Sequence, residues 1–409
     1  MPQLDQWGAD YIQLGFRIHQ HIDGYVDAYT GPPALRDAVL GTQPWPGAAL
    51  VAEAERLANT LEESGYGVLR RTYLHKQVGA MLTTCRQLAG ETFAYREEIR
   101  RCFDIDPQPI PEAEFEAAIE ELQTLLPGNG PVRERMIAWR KQYEIAPATA
   151  RGLLEMITDE LRQRTRALYP LPPGEAVEFR LVSDQPWTGY NWYYGNYTSG
   201  VDLNTDLPIH AHTLTALVAH EAYPGHHTEH CLKEAGLFET AGWAEHSIFL
   251  ISTPEAVIAE GIANTGRHVI FAPGELETWQ AAHVYPAAGI EGDPQRERRI
   301  AAATSALAGV AGNAALLLHE AGRSPEDVLR YLMRYGLHSE QQAQHRLRFI
   351  ESPLWRAYIF TYFYGERLMQ TWIRQGNPAE RFGTLLREQT YPSLIGRWIH
   401  DEQSTPGLP

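Results

Sequence analysis

Hydrophobic positions recur at three- and four-residue steps along most of this chain, the period of a helix with one apolar face. From Asp5 to Tyr29 the series Tyr11, Leu14, Ile18, Ile22, Val26 and Tyr29 keeps that step and Gly31-Pro32-Pro33 closes it, so one helix is expected over 5–29. The same period predicts helices over 48–65, 67–89, 91–103, 112–126, 131–144 and 147–168, divided by breaks such as Asp106-Pro107 and Pro127-Gly128-Asn129-Gly130. At Tyr169-Pro170-Leu171-Pro172-Pro173-Gly174 the pattern changes. Alternation over 176–182 and 200–204 reads as short strands, flanked by an aromatic cluster from Trp187 to Tyr197. Beyond His210 the helical step returns through 212–222, 254–267, 293–321, 325–335, 339–350, 354–374 and 378–388. The expectation is a mostly α fold with a small β insert. Its parts are an N-terminal helical region over 1–168, a strand-and-loop insert over 169–209, a helical region carrying the chemistry over 210–400 and a frayed tail over 401–409, within one integrated fold.

Composition narrows the classes of function. The 409 residues are 44% hydrophobic and 21% charged, as in a globular enzyme with a large core. Lys plus Arg number 35 against 51 Asp plus Glu, a net charge of −16 that repels phosphate backbones and anionic headgroups. Nucleic acid and membranes are therefore not expected as partners. Only Lys76, Lys141 and Lys233 are lysines, which leaves Schiff-base and P-loop chemistry almost no residue to use. The three cysteines, Cys85, Cys102 and Cys231, do not make a disulfide framework. The N-terminus has no apolar run of signal type, and no stretch reads as the roughly 20 apolar residues that span a bilayer. A cytoplasmic location is expected.

The chemistry concentrates in LTALVAHEAYPGHHTEH, residues 214–230, where an apolar helix runs into His220-Glu221 and then His226, His227 and His230. A His followed by Glu, with a further His about a turn later, is the donor set of a hydrolytic zinc site: imidazoles hold the ion and the Glu takes a proton from water. Pro224 occupies the place of the second His in HExxH. On an unbroken helix His226 would point about 120° away from His220, and His227 would lie ~10 Å up the axis. Pro224 removes a backbone donor and Gly225 is permissive, so a break is expected that swings either His226 or His227 to the ion. A rival pairing, HxxEH, would use His226 and His230 instead. The third ligand is expected to be Glu260, with Glu255 in reserve. Glu260 is followed by Gly261, which would let backbone approach a metal site closely, and Asn264 lies at i+4, where it would orient the carboxylate.

These residues resemble a bacterial family, defined by a domain of unknown function, that is distantly related to the carboxypeptidase Taq group of helical metallopeptidases. The resemblance rests on HEAYPGHH at 220–227, EGIA at 260–263, HEAGRSPEDVLRYL at 319–332, RFIESP at 348–353 and YFYGERL at 362–368. It extends to DAYTGPPAL at 27–35 and YREEIRRCFDIDP at 95–107, and so covers nearly the whole chain. It implies a helical metallopeptidase-like fold with a cleft floored by the metal helix and a small sheet along one wall. It also implies zinc on His220, His226 and Glu260, with Glu221 as general base. Tyr362 and Arg348 match positions that donate to the tetrahedral intermediate or hold a substrate carboxylate. The segment before Glu260 is longer than in typical members, and Ile262 replaces the usual aromatic.

The expected function is zinc-dependent hydrolysis of peptides, carboxypeptidase-like, with Tyr362 or His227 at the oxyanion and Arg348, Arg356 or Arg367 at the carboxylate. Cobalt or manganese would suit similar ligands. Two other readings use the same residues. One is a helical binding protein whose metal is structural or vestigial, its fourth position closed by His230 or Cys231. The other is a hydrolase of non-peptide amides or esters, with Trp187, Tyr190, Trp192, Tyr193, Tyr194 and Tyr197 as an aromatic wall.

Overall fold

The computed structural model describes residues 2, 4–185 and 187–404, and of 402–404 the backbone alone. Helices dominate, as the spacing predicts, and the strands form only small sheets. The long helix Pro147–Leu168 shows why: proline is tolerated at its start, and Leu153, Leu154, Ile157 and Leu161 fall on one buried face. Ser339 and Gln342 close a capping box at the head of Glu340–Glu351. The largest core cluster runs from Tyr95 through Leu153, Val218 and Val257 to Phe360, so segments far apart in the chain share one interior. A second core packs Tyr11, Leu14 and Ile18 against Leu50, Leu57 and Val78.

The expected helix over 5–29 divides. It spans Gln6–His19, capped by Asp5, whose Oδ1 accepts from the Gly8 amide at 2.7 Å. Gly24 then takes a positive φ of 81°, and Val26–Tyr29 is a strand antiparallel to Ile248–Leu250. Val26 and Tyr29 fit a helical step and a strand equally well, and the distant partner strand decides between them. Asp27 falls at an irregularity in this ribbon: Val26 faces Leu250 and Ala28 faces Phe249, leaving Asp27 as the extra residue.

The insert is a three-stranded sheet. Thr198–Asn204 is central, parallel to Ala176–Val182 and antiparallel to Gly189–Gly195. The strand Gly189–Gly195, read in the sequence only as an aromatic cluster, alternates faces: Tyr193 is buried, whereas Trp192 and Tyr194 are exposed. At the C-terminus the expected tail is helical as far as Ser404, the helix being Pro392–Ser404, and 405–409 lie outside the described residues. The helical run Pro294–His319, 26 residues, does reach the length and hydropathy of a membrane span, contrary to the expectation that no stretch would. Half of its most apolar window is buried within the fold, as in a core helix.

Two further helices, Pro254–Thr265 and Ile359–Ile373, cross at paired glycines. A Cβ on Gly261 would lie 2.7 Å from the Gly365 carbonyl oxygen, and one on Gly365 would overlap the Val257 carbonyl. Gly261 therefore serves a close approach, but to this helix and not to the metal site.

Candidate metal centre

The apolar helix Ala211–Glu221 ends immediately after His220, and a new helix, His226–Lys233, begins after Gly225. Between them Ala222 leaves helical geometry at φ −120°, ψ −87°. Gly225 is required here, because a Cβ on it would overlap the carbonyl of His220. The break turns His226 back, and its ring meets that of His220 edge to face, with centroids 4.7 Å apart. Glu260, from Pro254–Thr265, completes the group: its Oε2 is 3.4 Å from His220 Nε2 and its Oε1 3.8 Å from His226 Nε2. One ligand atom from each of the three lies within 4.8 Å of the others. Tetrahedral zinc with bonds of about 2.0–2.2 Å would set such atoms roughly 3.3–3.6 Å apart; the His220–Glu260 pair falls in that range and the His226–Glu260 pair, at 3.8 Å, just beyond it.

Protonation and hydrogen bonding point the same way. Burial lowers His220 to about 4 and pushes His226 well down, so both are neutral donors at neutral pH. The Nδ1 of His220 lies 3.1 Å from Asn264 Oδ1, which fixes the tautomer with Nε2 toward the group. Asn264 therefore orients His220, not Glu260 as the i+4 spacing had implied. Glu260 is held by Tyr358, whose hydroxyl donates to Oε1 at 2.7 Å. Its Oε2 is buried without a hydrogen-bond partner, and burial raises the carboxyl to about 8. A buried orphan oxygen and a carboxyl strained toward protonation are what a cation would relieve.

Glu221 is buried beside the group, at the junction of two cavities. Burial raises its carboxyl well above the usual range, and Glu260 and Asp27 add to the effect. Gly189 makes room for it, since a Cβ there would sit 3.0 Å from Glu221 Oε1. The smaller cavity, about 60 Å³, contains His220, His226, Glu260, Asp27, Tyr190 and Asn191 in its wall. The larger, about 520 Å³, shares His220, Glu221 and Tyr362 with it and carries Arg140, Arg267 and Arg346. Burial lowers all three guanidinium groups from their ordinary value.

Tyr362 lines both cavities, its ring 6.4 Å from that of His220. His227 does not reach either one. It is fully buried, with Nδ1 2.8 Å from Ser199 Oγ and Nε2 3.2 Å from Glu175 Oε2, so it is removed from the oxyanion role. Arg348 is exposed on the far side of its helix, and Arg346, two residues earlier, lines the cavity instead. Arg367 is also exposed, and Arg356 is paired with Glu98. In the rival HxxEH pairing Glu229 is committed to Lys233 at 2.7 Å and His230 stacks on Tyr193. Glu255, the reserve ligand, lies 3.3 Å from Lys233. Of the aromatic wall, Trp187 and Tyr190 face the smaller cavity, while the Tyr193 and Tyr197 hydroxyls go to Glu234 and Glu239. Sequence reasoning missed Asp27, Asn191, Tyr358 and Arg346.

No protein-family model matches the chain, and no curated protein does. Among solved structures it is similar in fold to the "putative lipoprotein" of Colwellia psychrerythraea, with a TM-score of 0.54 and 16% identity over 90% of this chain and 72% of that one. A "putative lipoprotein of unknown function" of Shewanella oneidensis aligns at TM-score 0.47 and 11% identity, covering 90% of this chain and 76% of that one. Such likeness concerns the fold alone.

Proposed function

We propose that the chain is a divalent-metal hydrolase of peptide bonds, carboxypeptidase-like, with zinc as the preferred ion. The observation that carries this reading is the convergence of His220, His226 and Glu260 with the Glu221 carboxyl beside them at the meeting of two cavities. When bound, the ion would polarise the scissile carbonyl and acidify water. Glu221 takes a proton from the attacking water and returns it to the leaving amine, a task suited to a buried carboxyl whose affinity for protons is raised. Tyr362 donates to the developing oxyanion. Arg346, with Arg140 and Arg267, offers guanidinium groups to a substrate carboxylate; none of the three forms a salt bridge among the described residues. Cys231 contacts His227 and Tyr193 instead of the triad, which removes it as a closing fourth ligand; His230, the other candidate, stacks on Tyr193 while lining the smaller cavity. The proposed setting is the cytoplasm, in keeping with three buried free thiols.

The test is to load the protein with zinc and incubate it with a mixed peptide library, reading products by mass. Loss of C-terminal residues or cleavage of short peptides is expected. Intact peptides at full zinc occupancy would reject the reading, and turnover of amide or ester probes alone would move it to non-peptide substrates.

A further inference from the structure

The smaller cavity has hydrogen-bond acceptors that the metal reading does not use. Asp27 projects from the irregular position in the ribbon Val26–Tyr29, where the extra residue re-aims its side chain. Its carboxylate accepts from the Tyr190 hydroxyl, and no Lys, Arg or His pairs with it among the described residues. Asn191 is only 8% exposed; its Nδ2 donates to the Glu221 backbone oxygen at 2.7 Å, which leaves Oδ1 aimed away and without a donor. The Tyr358 hydroxyl already donates its hydrogen bond to Glu260. Asp27 and the under-bonded Asn191 thus line one cavity, together with the metal triad, Glu221 and His230 and the rings of Tyr190, Trp187, Phe249 and Trp355.

A compact cation with several N–H donors answers each of these features. It neutralises Asp27, satisfies Asn191 and sits favourably against aromatic faces. We propose that this pocket is an ammonium subsite, held by Asp27 and Asn191, and that the substrate is a short peptide with a free α-amino group beside the scissile bond. At about 60 Å³ the cavity has room for several water-sized groups, and its wall includes the metal triad, so an ammonium held there lies close to the scissile bond, as an α-amino group would. Burial has raised Asp27 to about 6, and an incoming ammonium would pull it back down, favouring the charged pair. With the amine in this pocket and the carboxylate end among Arg140, Arg267 and Arg346, both ends of a dipeptide or tripeptide are recognised. This inference rests on the proposed hydrolase reading, but its recognition step stands without turnover.

The experiment compares Phe-Ala, N-acetyl-Phe-Ala and Phe-Ala amide as substrates for the zinc-loaded wild type and Asp27→Asn. The wild type is expected to cleave the free-amine peptides and to lose roughly ten- to a hundredfold in kcat/KM on acetylation, the range for losing a hydrogen bond to a charged group. Asp27→Asn should lose a similar factor on Phe-Ala, through KM, and little on the acetylated peptide. Equal cleavage of free and acetylated peptide by the wild type overturns the ammonium subsite while leaving the hydrolase intact, and this comparison holds even if the variant does not fold. If no peptide is cleaved, the hydrolase reading fails, and phenylalaninamide titrated calorimetrically into both proteins decides the subsite. Saturable binding weakened by Asp27→Asn supports it; equal or absent binding overturns it. Two zinc ions per wild-type chain, falling to one in Asp27→Asn, would also overturn it, because a second ion would occupy the pocket.

Discussion

Tyr358 holds Glu260 in place: its hydroxyl donates to Oε1 at 2.7 Å while Oε2 remains bare toward His220. The carboxylate is thereby fixed with one oxygen available to an ion. Tyr358→Phe is expected to keep the fold and to weaken zinc affinity about 10–100-fold, the usual cost of removing a group that orients a ligand. Chelator competition measures it, and unchanged affinity would remove Tyr358 from the metal site. His220→Ala and Glu260→Ala should go further and lose zinc outright in an elemental assay.

Glu221 separates metal binding from turnover. Glu221→Gln preserves shape and should retain one equivalent of zinc, while hydrolysis falls by about 10²-fold or more, the range for losing a general base. Near-normal turnover in that variant would exclude Glu221 from proton transfer.

The glycine crossing gives a prediction about stability. Gly365→Ala forces a methyl group into the Val257 carbonyl, so the helices Pro254–Thr265 and Ile359–Ile373 must separate. A loss of about 1–3 kcal/mol is expected from urea titration, typical of overpacking. Zinc affinity should fall with it, because Glu260 and Tyr358 belong to the two sides of that crossing. A variant as stable as the wild type would show that the contact yields without strain.

The buried network around His227 gives a pH dependence. Burial alone would raise Glu175, but hydrogen bonds from His227, Tyr223 and Arg162 outweigh it and hold the carboxyl at about 2. A depressed carboxyl contributes stability that is fully present above its ordinary value near 4.5 and is lost as pH falls toward 2. Glu175→Gln should therefore lower the melting temperature at pH 7 and narrow its gap to the wild type below pH 4. His227→Ala should destabilise the protein yet retain zinc; if zinc is lost instead, His227 acts at the metal after all.

Much of the fold was legible because its signals are local. Residues 176–182 alternate and form a strand with those bounds, and the helix 325–335 appears as spaced, since Ser324 and Pro325 mark its start. The grouping of His220 with a histidine past the Pro-Gly break was legible for the same reason, whereas Glu260 was reached through Gly261, whose close approach is to the helix Ile359–Ile373 and not to the triad. What was hidden depends on partners remote in sequence. Val26–Tyr29 follows a helical step until its pairing with Ile248–Leu250 is known, and Asp27 was concealed with it. His226 and His227 were not separable by spacing, because the rotation at Gly225 is set by how closely the chain packs on His220. Arg346 and Arg348 lie on opposite faces of one helix, so the likeness in RFIESP marked the exposed neighbour of the residue that lines the cavity.

The Tyr190–Asp27 bond joins residues 163 apart in the chain, and the Tyr358–Glu260 bond joins residues 98 apart. Contacts of that separation carry a loop-closure cost that the packed cores around them offset, so the pocket is expected to form late in folding. The ion is consequently expected to bind after folding, unlike in a zinc finger, where binding and folding are one step. Metal-free protein should reach the native topology at nearly the same rate as the loaded form, and loading then becomes a separate encounter between a finished scaffold and whichever ion the compartment supplies.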